Sequence, residues 1–169
     1  MTYLIFFCTF ATNNETMTKQ NGDLTQAECL YHGHLVLKNE IEEISKLEGF
    51  METIGEATGI DLSLIVSLNL ALEEAVTNVI SYAYPEGQEG TVDIDVRVTK
   101  EQLEFVISDS GIPFDPTTKE DADITLGVEE RPIGGLGIFL VRQLMDTILY
   151  EYKDKKNILT LRKQLTANN

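Results

Sequence analysis

The sequence predicts an α+β fold, a layer of helices on one antiparallel or mixed sheet, and three observations carry that expectation. Ile41, Ile44, Leu47, Met51 and Ile54 recur at helical spacing. Val92, Ile94, Val96 and Val98 alternate with Asp93, Asp95 and Arg97, and Leu103, Phe105 and Ile107 repeat that two-residue period after a short polar turn. A length of 169 residues with 43% hydrophobic content supplies one ordinary core and too little for two full domains.

Residues 1–33 read as an N-terminal extension. Its apolar run at 3–11 is too short to span a bilayer, and no basic segment precedes it as in a secretory signal. Met17 lies in the polar stretch that follows and offers an alternative start. The domain itself is expected over 34–165, with 166–169 as a tail.

Leu35, Val36 and Leu37 suggest an edge strand. Asn39 is then expected to cap the first helix, with Glu42 three residues on completing a capping box, and Gly59 to end it. Asp61 is expected to cap a second helix that runs to about Ala83 and stops at Pro85 and Gly87. The two alternating runs that follow make a hairpin.

Residues 112–133 hold Pro113, Pro116 and Pro132 and no sustained period, so they read as one loop. Structureless loops beyond about 12–15 residues are typically functional lids or disordered. A third helix is expected over 136–146, and Ile148, Tyr150, Tyr152, Leu159 and Leu161 make a closing hairpin around 154–157.

Thirteen Lys and Arg against 28 Asp and Glu leave a net charge of -15. That charge repels phosphate backbones and leaves no counterion-release drive, so direct nucleic-acid contact is disfavoured and a protein partner expected. Two cysteines, Cys8 and Cys29, make no disulfide framework or zinc spacing, which fits a reducing cytoplasm.

Three short segments carry chemistry. In Glu74-Ala75-Val76-Thr77-Asn78, the two polar ends fall one helical turn apart on one face. An amide oxygen suits Mg²⁺ when substrate phosphates supply further ligands, and a carboxylate nearby can take the proton of an attacking hydroxyl. A solvated polar helix face explains the same residues.

The second segment is Asp109-Ser110-Gly111-Ile112-Pro113-Phe114-Asp115-Pro116. Asp109 ends a strand, and Gly111 presents no side chain to block a flat ligand. An ionised carboxylate only accepts hydrogen bonds, so it would take the exocyclic amino group of adenine and reject the carbonyl of guanine. A simple tight turn is the alternative.

In the third, Gly134, Gly135 and Gly137, with Leu136 between, lead a loop into a helix N-terminus, where backbone N–H groups and the helix dipole suit phosphate oxygens. A hinge for the lid is the other reading. Occurring together in this order, the three segments make most of an ATP site.

The stretches LEEAVTNVISYAYP (72–85), DSGIPFDP (109–116) and GGLGIFLVRQLMD (134–146) resemble the GHKL superfamily of ATPases and kinases. They look most like the anti-sigma factor serine kinases of bacterial partner switching. The resemblance implies a two-layer α/β sandwich with ATP and Mg²⁺ held between helices and a lid. It implies Glu74 as catalytic base, Asn78 as Mg²⁺ ligand, Asp109 as adenine reader, and Gly111, Gly135, Leu136 and Gly137 as nucleotide contacts.

By the same resemblance the protein is a homodimer that sequesters a sigma factor and phosphorylates a serine of an anti-anti-sigma partner. Tyr82 stands where close members often carry His, and Pro113 replaces a glycine of the wider superfamily, as is usual in the anti-sigma group. Within an acidic lid, Arg131 is the side chain best suited to reach a phosphate. A nucleotide-binding interaction module without phosphotransfer is the second reading. His32 and His34 lie outside any helical hairpin, which argues against a sensor histidine kinase.

Overall fold

The structure, a computed structural model, describes residues 29–118 and 136–165. Five strands form one sheet: β1 (Tyr31–Lys38), β2 (Thr91–Val98), β3 (Gln102–Asp109), β4 (Thr147–Lys153) and β5 (Lys156–Gln164). Their order is β1-β2-β3-β5-β4, and every pairing among the described residues is antiparallel. The sheet is therefore antiparallel rather than mixed.

Three helices, α1 (Lys46–Thr58), α2 (Leu62–Tyr82) and α3 (Leu136–Leu144), supply the second layer. The alternation seen in the sequence sets which side they cover. Leu35 and Leu37 of β1, Val92, Ile94 and Val96 of β2, Leu103, Phe105 and Ile107 of β3 and Leu159 and Leu161 of β5 all point into the core. Leu47, Met51, Leu68, Leu72, Val76 and Val141 meet them from the helices.

Several local signals act as the sequence suggests. Gly59 closes α1 in the left-handed conformation at φ 70°, which costs a glycine nothing. Asp61 caps α2 by accepting from the Ser63 N–H at 2.8 Å. Asp154 and Lys155, at φ 52° and 63°, form a two-residue turn whose left-handed geometry matches the twist of the β4–β5 hairpin.

The expected capping box does not form. Asn39 instead donates from Nδ2 to the Gln88 carbonyl at 2.7 Å and accepts the Gly90 N–H at 2.9 Å, tying the end of β1 to the loop before β2. The chain then enters a 3-10 turn at Ile41–Ser45 in which no residue is buried, Ile41 included, before α1 starts at Lys46. Competition for the short Asn side chain decides this, because two tertiary hydrogen bonds outweigh one local cap.

β1 begins at Tyr31 and so takes in residues that the sequence assigns to the extension. His32 and His34 lie on its face away from the helices, where His34 Nδ1 is 2.9 Å from Asp95 Oδ1 and His34 Nε2 is 3.9 Å from Asp93. The alternative start at Met17, the apolar run at 3–11, the tail and most of the loop at 112–133 lie outside the described residues. Helix α2 is apolar and long enough to cross a membrane by composition alone, yet Ile65, Leu68, Ala71, Leu72, Ala75, Val76 and Ile80 pack into the core.

Candidate functional site

Glu74 and Asn78 project from the same face of α2 one turn apart. Asn78 Nδ2 donates back to the Glu74 carbonyl at 2.8 Å, which fixes the amide and leaves Oδ1 free as an acceptor among the described residues. Gly137, in the first turn of α3, packs directly on this pair. A Cβ there would stand 2.5 Å from Glu74 Oε2 and 3.3 Å from Asn78 Nδ2. The first and third segments therefore meet in space.

Asp109 ends β3, the central strand, and is only 4% exposed. Its Oδ1 accepts the Gly111 N–H at 2.8 Å and the Asn157 Nδ2 at 2.9 Å, while Oδ2 has no partner among the described residues. Burial pushes the carboxyl above its ordinary pKa, and the bonds from Asn157 and Gly111 pull the other way. A buried, half-satisfied carboxylate is costly unless a ligand completes it.

Asp109 and Asn78 line one cleft, together with Ala75, Val79, Ile107, Phe114 and Leu159. The composition of apolar walls with few polar groups suits a flat aromatic ligand. The free Asn78 Oδ1 and the open Asp109 Oδ2 fit a nucleotide with a hard cation.

Gly111 has a reason different from the one read in the sequence. A Cβ there would come within 2.3 Å of the Ala83 carbonyl oxygen, so the missing side chain makes room for the end of α2. The adjacent Ile112 N–H donates to that same carbonyl at 2.8 Å, locking the loop to the helix. Arg131 and Gly135 lie outside the described residues, as does the side chain of Leu136, which opens α3.

Sequence reading missed Tyr84, Tyr150 and Asn157. The Tyr84 hydroxyl accepts the Ser110 N–H at 3.2 Å and donates to the Thr91 carbonyl at 2.8 Å, fastening the loop after β3 to β2. Asn157 shares the inward face of β5 with Leu159 and Leu161, and a polar residue at an apolar position was the available signal.

Residues 37–163 match the protein family described as Histidine kinase-like ATPase domain. The chain belongs to this family. Among curated relatives of this ATPase domain, the serine-protein kinase RsbW of Listeria monocytogenes is 28% identical over 129 residues, covering 74% of this chain and 81% of that protein. RsbW of Bacillus cereus is 30% identical over 113 residues, 64% of this chain and 70% of that one. The serine/threonine-protein kinase BtrW of Bordetella bronchiseptica is 30% identical over 95 residues, 56% and 67% respectively.

The solved RsbU and RsbW domains of a Mycobacterium tuberculosis protein share the fold, with a TM-score of 0.56 at 15% identity. The match covers 79% of this chain and 32% of that longer one. The GHKL resemblance read from three segments thus extends over the whole histidine kinase-like ATPase domain.

Proposed function

We propose that the chain is an ATP-dependent serine protein kinase that doubles as an anti-sigma factor, holding a sigma factor and phosphorylating an anti-anti-sigma partner. The observation that carries the kinase reading is the packing of Gly137 against Glu74 and Asn78, with Asn78 and Asp109 on one cleft. The names of the relatives, serine-protein kinases, support it. The sigma-factor partner and the homodimer rest on the family resemblance.

Asp109 Oδ2 would accept the adenine amino group, and Asn78 Oδ1 would hold Mg²⁺, with Gly135, Leu136 and Gly137 at the phosphates and Arg131 reaching them. Bound Mg²⁺ would neutralise charge on the phosphate oxygens. Glu74 accepts the proton of the partner's serine as the serine oxygen bonds to the γ-phosphorus and the bond to ADP breaks.

Incubation with γ-labelled ATP, Mg²⁺ and candidate antagonists tests this. Glu74→Gln should lower transfer at least about 100-fold, the usual share of a general base, with ATP affinity little changed. Tight ATP binding with no label on any partner would retire the kinase in favour of a nucleotide-binding interaction module. Co-elution with a sigma factor on gel filtration, with mass from light scattering, tests sequestration and the homodimer.

A further inference from the structure

Asn157 is the most fully used side chain near the cleft. It is 6% exposed and pairs in register with Asp109 across β5 and β3. Its Nδ2 donates to Asp109 Oδ1 at 2.9 Å and to the Ile112 carbonyl at 3.1 Å. Its Oδ1 accepts the Phe114 N–H at 3.2 Å and the Tyr150 hydroxyl at 2.7 Å.

Four bonds fill the ordinary capacity of an amide, two donors and two lone pairs. Backbone groups also fix which end is which. The Phe114 N–H can only donate and the Ile112 carbonyl can only accept, so the oxygen must face Phe114 and the nitrogen Ile112. Asp109 therefore always meets a donor.

A buried amide between Leu159 and Asp109 contributes less to a core than a leucine would, and its worth lies in what it orients. Asn157 and the Gly111 N–H together occupy Asp109 Oδ1. That leaves the other oxygen without a partner among the described residues of the cleft. Through Ile112 and Phe114 the same side chain anchors the loop whose Phe114 and Pro116 wall the cleft.

We propose that Asn157 is the positioning residue for base specificity: it holds the plane of the Asp109 carboxylate that faces the purine and sets the wall beside it, so that a 6-amino purine is accepted and a 6-oxo purine refused. This rests on Asp109 as the adenine reader. A carboxylate free to rotate would offer its acceptor at variable angles and discriminate poorly, since hydrogen-bond selectivity depends on fixed direction.

Affinities for ATP and for inosine triphosphate, whose 6-oxo group replaces the amino donor, provide the test. In the unaltered chain ATP should bind at least about tenfold tighter, the worth of one hydrogen bond to a charged group. Equal affinity there would sink the adenine reading itself. Given that preference, Asn157→Ala and Asn157→Leu should each bring the ratio toward one, mainly by weakening ATP, with folding checked by circular dichroism.

A preserved ratio in either folded variant overturns the proposal. Should neither variant fold, the side-chain amide resonance of Asn157 in the unaltered chain decides. It should shift when ATP binds and stay put with inosine triphosphate, and a resonance indifferent to ATP overturns the proposal as well.

Discussion

At Asp109 the fold keeps a carboxylate where burial raises its pKa, with Asn157 and Gly111 only partly offsetting that cost. A raised folded pKa means the ionised form costs stability once pH climbs from the ordinary aspartate range through the raised value. Asp109→Asn removes the charge and keeps an acceptor for both donors. It should be as stable as the unaltered chain or more so in urea at pH 7, yet lose its preference for ATP over inosine triphosphate. Only the ionised form offers acceptors alone, so ATP affinity in the unaltered chain should fall on acidification at a pH above the ordinary aspartate range. Calorimetric titration across pH 4–7 reads this, and flat affinity to the lower limit would contradict it.

Two glycines near the site separate stability from chemistry. At Gly111 the obstacle to a side chain is the Ala83 backbone, which cannot yield, so Gly111→Ala should cost roughly 1–3 kcal/mol as overpacking does. At Gly137 the nearest atom is the far end of a flexible Glu74 side chain. Gly137→Ala should hold its stability, helped by up to roughly 1 kcal/mol of helix propensity, while phosphotransfer drops because the carboxylate is pushed aside. Denaturation and transfer assays on the pair should cross over in this way.

On the scale of elements, the end of α3 is moored to β5 through one side chain. Asp146 Oδ2 accepts the Gln164 N–H at 2.7 Å, Oδ1 pairs with Lys163 Nζ at 3.1 Å, and the Asp146 N–H donates to the Arg162 carbonyl at 2.9 Å. The Gln164 bond above all holds the carboxyl below its ordinary pKa, so its contribution is present at neutral pH and lost as pH falls through that depressed value. Asp146→Ala should cost about 1 kcal/mol at pH 7, with Lys163 contributing little at the surface, and the difference should shrink in acid. Urea titrations at pH 7 and pH 3 measure both.

Elements with a strong period and local end signals were legible in the sequence: α2 with Asp61, the β2–β3 hairpin, and the β4–β5 hairpin. Misreadings arose where a partner far along the chain claimed the side chain. Asn39 looks like a cap until Gln88 and Gly90 take its amide, and Asn157 looks like the flank of a turn until β5 pairs with β3. The three segments behind the proposed site stood out in the sequence because each carries its chemistry within a few residues. Tyr150 and Asn157 escaped because they act through cross-strand neighbours, and Tyr84 because its hydroxyl reaches Thr91 and Ser110, far along the chain.

For the molecule as a whole, the site draws on three parts of a single core: the Asp109 side chain from the central strand and that of Asn78 from α2 line the cleft, and the Gly137 backbone of α3 packs against Asn78. These elements share one hydrophobic cluster, and Phe105, fully buried in β3, sits within it. A ligand bridging them should stabilise against global unfolding rather than damp one loop. At about a hundredfold its Kd, ATP should add about 2.7 kcal/mol, raising Tm by roughly 5–10 °C for a domain of this size. Phe105→Ala should remove roughly 3–5 kcal/mol and weaken the site in step, since β3 carries both the ring and Asp109. Calorimetric scans with and without ATP should show one transition that moves as a unit, while Asp109→Asn should move little at the same ATP concentration. Two transitions, with only one responding to ATP, would mean that the cleft and the sheet core do not unfold together.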